Sequence, residues 1–462
     1  MIKGTLIRTT LFIMAAFTAG SLHGQTFSYE VMAETTLKFL SIEVCATGEP
    51  PSRMVAGDGA YEFLEEDPRY HLSKGRLYPD FDRHKCFGYA VDLKAAADAG
   101  GRASAWSPNK VLVPVNHWFW RPAFLLKEDT MRVRFRLPEG MRVSVPWQPL
   151  GDFHFEVPHT SRHWPGVSAF GHFQQQRILV EDGALMVSLL KPASEQPIAK
   201  FLPWMEQVSR TLAGVTGKFP RAHFQVLLVP SGRSGSAIPF AQILRGGTSS
   251  AVFYINPDQP IRNFVEDWTS WHEFSHLLLP FVSRDEPWVS EGLASYYQYL
   301  LMGRARVLDE RHAWQRMYQA MRKAEQKADT TGDMDLEDIS RDMHEYRAYR
   351  RVYWSGAILW LEADKELRRR SDNELSLDSL LTRLHACCGD SREMWSSEEL
   401  AEKLDSFLET PLFGPLFAEY RKMMAFPDFR AQLAELGVIA DGSRIQLDNR
   451  KSMAGVRKTM LE

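Results

Sequence analysis

One pentapeptide, His272-Glu273-Phe274-Ser275-His276, constrains this 462-residue chain more than any other stretch. An α-helix turns once every 3.6 residues, so side chains four apart lie on one face. Written as a helix, the stretch lets both imidazoles reach a single metal ion while Glu273 projects beside it. The surrounding sequence predicts such a helix from about Ile261 to Leu279, stopped by Pro280. Ile261, Phe264, Val265, Trp268, His272 and His276 fall on one stripe, so an inward-packing face would carry both histidines inward. The plainer alternative is two hydrogen-bonded core histidines and a glutamate in a surface pair.

A third ligand would favour the metal. Zinc in hydrolases commonly takes three protein ligands and leaves one position open for water. Fourteen residues separate His276 from Glu291, in Pro287-Trp288-Val289-Ser290-Glu291-Gly292-Leu293-Ala294-Ser295-Tyr296-Tyr297. Pro287 suits a helix start, and Pro280, Arg284 and Asp285 allow the chain to reverse before it. Two neighbouring helices can then bring Glu291 onto the same ion. Alone, Glu291 also reads as a carboxylate placed against a helix dipole.

Composition narrows the setting. Lys and Arg total 55 against 58 Asp and Glu, a net charge of −3, which excludes a nucleic-acid binder with a broad basic surface. Lys3, Arg8 and the apolar run Leu11–Ala19, followed by Gly20, Ser21 and Gly24, have the layout of a secretory signal peptide over residues 1–24. No later stretch is long and apolar enough to span a bilayer, so the expectation is an exported protein, periplasmic or secreted, with no integral span after signal removal. Export permits disulfides, and Cys45 and Cys86 can pair. The neighbours Cys387 and Cys388 read as buried thiols beside His385, because a bond between adjacent cysteines is uncommon. The 13 tryptophans predict large packed surfaces.

The fold class is α+β. Residues 25–195 read as an N-terminal antiparallel β domain. Met131–Leu137 alternates apolar and basic residues at the period of a half-buried strand, and Phe153–Val157 repeats the pattern. The arginines of the first run read as a solvated face. Residues 196–330 hold strands at Phe224–Val229 and Ala251–Ile255, a loop at Ser231–Ser236 and the histidine motif. Residues 331–462 read as helical, with a capping box at Ser396 and Glu399 and a polar C-terminal end expected to fray.

With these residues in view, the chain resembles the gluzincin metallopeptidases, and in particular the glycyl aminopeptidase family, relatives of aminopeptidase N. Three blocks carry the resemblance: His272–His276, Trp288–Tyr297, and Tyr353-Trp354-Ser355-Gly356-Ala357-Ile358-Leu359-Trp360-Leu361-Glu362-Ala363-Asp364 with its continuation to Leu381. The resemblance implies a thermolysin-like catalytic domain over 196–330, a Zn2+ cofactor, and zinc ligands at His272, His276 and Glu291. It implies Glu273 as the general base toward a zinc-activated water, and Tyr353 as the phenol that holds the developing oxyanion. Tyr346 and Tyr349 are neighbours of Tyr353 that could be confused with it; without the resemblance Tyr353 would read as helix packing. The implied reaction is hydrolysis of a peptide or protein substrate, with aminopeptidase action as one form.

Two departures stand out. The family places a Gly-Gly-x-Glu-His-like strand upstream of the zinc helix, and in the related aminopeptidases an acidic residue there helps to hold the substrate's free amine. Here the matching stretch, Arg245 to Tyr254, keeps Gly246 and Gly247 and lacks the Glu and His. The two glycines are assigned to substrate binding, with a simple turn as the other reading, and Ala251–Ile255 is the candidate edge strand for an extended peptide. No glycine-led strand pattern for a PDZ domain follows the helical part. The rival to an enzyme is a peptidase-like scaffold that binds envelope peptides or proteins without cutting them.

Overall fold

Strict alternation turns Thr130–Arg136 into the expected strand: Met131, Val133 and Phe135 are buried while Arg132, Arg134 and Arg136 face solvent. The structure is a computed structural model that describes residues 24–462, except 102–103, 165, 191–196, 232–234, 248, 329–333 and 390–392. Apart from Gly24, the assigned signal peptide lies outside the described residues, as does the middle of the Ser231–Ser236 loop.

Thr130–Arg136 sits inside a six-stranded sheet ordered Gln148–Gly151, His154–Val157, Thr130–Arg136, Thr26–Ala33, Phe39–Ala46, Cys86–Asp92. The sequence predicts antiparallel pairing throughout. Instead Thr26–Ala33 and Thr130–Arg136 run parallel, with Phe27 opposite Met131. Residues 34–129 lie between the two strands and supply the long connection a parallel pair requires. On the solvent face Arg136 Nη2 donates to Glu30 Oε2 at 2.9 Å, as a solvated role for these arginines requires. Cys45 and Cys86 are opposite each other on the last two strands and form a disulfide. Trp118, Trp120 and Trp147 fill the core beneath this sheet.

A five-stranded sheet carries the site. Its order is Gln174–Val180, Gly183–Leu189, His223–Pro230, Ser250–Ile255, Phe240–Leu244. The three inner strands are mutually parallel and the two outer ones antiparallel to their neighbours. Its first two strands therefore come from residues ahead of position 196. The interior of His223–Pro230 is buried throughout, which accounts for its unbroken apolar run. Ser250–Ile255 is an inner strand, because Phe240–Leu244 pairs along its outer side. The edge open to an extended peptide is thus Phe240–Leu244, not Ala251–Ile255.

From Pro287 onward the chain is mainly helical, and the α+β class holds. Helix Pro287–Arg304 crosses the long helix Tyr349–Arg370 at two glycines. A Cβ on Gly356 would lie 1.8 Å from the Trp288 carbonyl oxygen, and one on Gly292 would lie 2.6 Å from Gly356 Cα. Trp360 Nε1 donates to the Val289 carbonyl at 2.9 Å beside this crossing. The Ser396 capping box is present, with Glu399 Oε2 accepting from Ser396 N at 2.7 Å. Cys387 and Cys388 are bonded to each other, although the sequence favoured separate thiols.

The C-terminal end is docked rather than frayed. Arg457 is 0% exposed and donates to Glu310 Oε1 at 2.7 Å, and Arg304 Nε donates to the Met460 carbonyl at 3.0 Å. Its charges find partners far away in sequence, which local polarity cannot reveal. Among the described residues no helix is long and apolar enough to cross a membrane.

The glycine crossing yields a test. Gly356→Ala forces the two helices apart and should lower stability by about 1–3 kcal/mol, the usual cost of overpacking. Chemical denaturation of the purified variant beside wild type measures it.

Candidate active site

The helix predicted over 261–279 is interrupted. Ile261–Val265 ends, and Asp267 starts a new helix, Trp268–Ser275, by accepting a hydrogen bond from Thr269 N at 2.9 Å. A 3-10 turn, His276–Leu278, follows directly. Of the predicted stripe, Phe264, His272 and His276 are buried as expected, and Trp268 departs from it. Phe274 packs on the sheet, its ring 5.5 Å from Phe224 and 6.2 Å from Phe253, while Trp268 is 45% exposed. Phe274 lies two residues from each histidine and so points to the opposite side of the helix. Sheet packing on one side therefore aims both imidazoles to the other.

The chain then reverses within a pinned turn. His385 Nε2 bonds the Leu278 carbonyl at 3.0 Å, and the Trp395 backbone bonds Phe281 and Ser283 at 2.8 Å each. Pro287 occupies the first turn of Pro287–Arg304, as its fixed φ favours. Glu291 Oε2 arrives 3.1 Å from His272 Nε2 and 3.4 Å from His276 Nε2. A tetrahedral centre with bonds of about 2.0–2.1 Å has ligand-to-ligand edges of about 3.3 Å, so this donor set fits a zinc ion. Among the described residues these three side chains are the group placed to hold a metal. His272 Nδ1 lies 3.0 Å from Gln298 Oε1; a proton there leaves the Nε2 lone pair facing Glu291. His276 Nδ1 is buried without a hydrogen-bond partner. Sequence reasoning missed Gln298, although it sits seven residues after Glu291 and so on the same helix face.

Charges in the site are strongly coupled. Burial opposes ionisation of Glu291, yet the two imidazoles hold its carboxyl well below the usual range. Burial pushes His276 down to about 4; burial also opposes the charged form of His272, but Glu291, Glu273 and Gln298 together hold it above the ordinary histidine value. Glu273 is half-buried on the cleft wall, where its Oε2 accepts from Ile243 N at 2.9 Å. Burial pushes its carboxyl up to about 7, against the pull of His272.

Tyr353 comes from the long helix, its ring stacked over His272 at 6.0 Å. Burial, then the Glu291 and Glu273 charges, push its phenol well above the usual range, so it stays an O–H donor. Tyr346 and Tyr349 are 49% and 39% exposed and do not line the cleft. The cleft itself is about 830 Å³, walled by the edge strand, the histidine helix, the turn at 281–284 and Tyr353. Gly246 and Gly247 lie off these walls. Gly246 has φ +93° against the Phe281 ring, and a Cβ at 247 would meet the Trp164 indole at 2.6 Å, so backbone and packing account for both glycines. Arg245, just before them, does line the cleft.

Behind the ligands lies a polar brace. Tyr296 Oη donates to Asp364 Oδ2 at 2.7 Å, and Asp364 Oδ1 also accepts from Arg368 Nε and Leu377 N. Tyr297 Oη and Arg304 Nη1 both donate to Asp378, at 2.5 and 2.7 Å. The paired tyrosines after Glu291 thus fix their helix to two others.

Comparison with known proteins agrees with this arrangement. Residues 281–370 match the M61 glycyl aminopeptidase family, a span that takes in Glu291 and Tyr353 and begins just after the histidine motif. Among curated proteins none matches the chain in sequence. Among solved structures, an aminopeptidase N family protein from Idiomarina loihiensis is similar at 12% identity and TM-score 0.67, covering 89% of this chain and 78% of that one. An M1 zinc metallopeptidase from Deinococcus radiodurans is similar at 14% identity and TM-score 0.55, covering 88% and 95%. A variant of the M1 enzyme bound to a Tyr-Ser-Ala substrate is similar at 12% identity and TM-score 0.55, covering 88% and 94%. The chain resembles the gluzincin peptidases: residues 281–370 match the glycyl aminopeptidase family, and the fold is similar to that of an aminopeptidase N family protein.

Proposed function

We propose that this protein is an exported, zinc-dependent metallopeptidase that hydrolyses peptide bonds in the cleft beside His272, Glu273, His276, Glu291 and Tyr353. The observation that carries the reading is the convergence of three ligand atoms on one point, with a raised-pKa carboxyl and a protonated phenol at its side. The M1 zinc metallopeptidase of similar fold supports the choice of metal and reaction. Export rests on the basic-then-apolar N-terminus, and the Cys45–Cys86 bond suits an oxidising compartment.

Held by His272, His276 and Glu291, a zinc ion would supply Lewis acidity toward a substrate carbonyl and lower the pKa of water. The remaining work falls to the chain. Glu273 is placed to accept the proton of the attacking water and return it to the leaving amine, and a carboxyl near neutral pKa can do both. Tyr353 donates its O–H to the carbonyl oxygen as negative charge develops there. The edge strand offers backbone groups along which an extended peptide can lie. Gln298 keeps the His272 ring turned toward the ion.

Three variants test these roles. Glu273→Gln should retain zinc and lose hydrolysis; a mixed peptide library read by mass spectrometry measures cleavage, beside metal analysis of the same protein. Absence of zinc-dependent cleavage by wild type across the library would instead support the binding scaffold. Tyr353→Phe should bind zinc normally and lower kcat by about 10²–10³-fold, the usual effect of deleting one oxyanion donor. Gln298→Leu should weaken zinc about 10–100-fold in a chelator competition, without removing a ligand.

A further inference from the structure

The cleft wall carries a cation, and recognition of a free substrate amine would need an unengaged carboxylate there. Three carboxylates line it among the described residues, and each is engaged. Asp267 caps its helix through Thr269 N, Glu273 accepts from Ile243 N, and Glu291 lies between the two imidazoles. Arg245 stands on the same wall, directly after the edge strand Phe240–Leu244. Its Nη2 reaches Ser290 Oγ only at 3.4 Å, and its buried Nη1 has no hydrogen-bond partner. The guanidinium lies over the Phe281 ring at 5.9 Å, and Arg284, exposed at the cleft rim, lies over the same ring at 6.0 Å. Neither arginine forms an ion pair within 4 Å among the described residues.

A planar guanidinium with an unused N–H is built to take a carboxylate through charge-assisted hydrogen bonds. Two arginines sharing one aromatic ring raise the local positive potential, which repels an ammonium group. Resting on the metallopeptidase reading above, we propose that Arg245, assisted by Arg284, is the specificity determinant of this cleft and binds a substrate carboxylate close to the scissile bond. The substrate class is therefore a peptide bearing an acidic side chain or a terminal carboxylate there, in place of one selected by its free amine.

The test compares matched peptides on the zinc-loaded full chain. One arm replaces Asp or Glu flanking the cleaved bond by Asn or Gln; the other replaces a C-terminal acid by its amide. Wild type should prefer the acidic member about 10–100-fold in kcat/KM in one arm, which identifies the source of the carboxylate. In Arg245→Gln that preference should fall to near unity, in Arg245→Lys it should survive in part, and in Arg284→Gln it should shrink. Each ratio is taken within one protein, so incomplete folding of a variant does not mimic the effect. If Arg245→Gln does not fold, the Lys and Arg284 variants carry the same comparison. Equal cleavage of acidic and neutral members by wild type, or an unchanged preference in the Arg245 variants, overturns the inference and leaves the peptidase reading intact. Should no peptide be cut, binding of the same pairs by titration calorimetry decides separately. Tighter binding of the acidic member that is lost on changing Arg245 keeps the carboxylate site without the hydrolysis, and equal binding removes it.

Discussion

Everything in the site depends on Glu291 reaching between two imidazoles carried by a different helix. Side chains can meet at about 3 Å only if the backbones that carry them are fixed to a fraction of that distance. The structure achieves this by anchoring each ligand element on the side away from the ligands. Phe274 fastens the histidine helix to the sheet, and Gly292, Trp288 and Trp360 fasten the glutamate helix to the long helix. The same contact brings Tyr353 over His272, so one helix crossing sets the position of Glu291 and of the phenol together.

Electrostatics then divides labour among similar groups. Glu291 and Glu273 are both carboxylates in one cleft, yet their environments push them in opposite directions. Paired imidazoles keep Glu291 ionised and fit to bind a cation. Burial leaves Glu273 near neutrality and able to exchange a proton. Separation of pKa values between neighbouring carboxyls is how an acid–base role is assigned within a site.

The meeting of His272, His276 and Glu291 was legible because a helical repeat and a proline-started helix are local patterns. So were the alternating strand at 130–136 and the capping box at Ser396. What local pattern could not convey was the face on which a helix packs: Trp268 is left exposed, and Phe274 takes the sheet side because Phe224 and Phe253 wait beneath it. The break at Asp267 was hidden because a capping aspartate inside a continuous apolar stripe looks like a surface residue. The parallel pair, the inner position of Ser250–Ile255 and the docked C-terminal end all depend on partners distant in sequence. Gln298, Arg245 and the Asp364 and Asp378 brace are polar residues whose role appears only once their neighbours are known.

An open strand edge ordinarily invites other chains to pair with it. Here the Ile243 N–H on that edge is already given to Glu273, and this bond is one of the influences holding the Glu273 carboxyl down. On the proposed reading, a peptide that recruited the Ile243 N–H would withdraw that influence, and the carboxylate it uncovered would be the stronger base for having lost its donor. The edge would then be guarded by the very group that docking releases, and occupancy of the groove would be coupled to readiness for proton transfer.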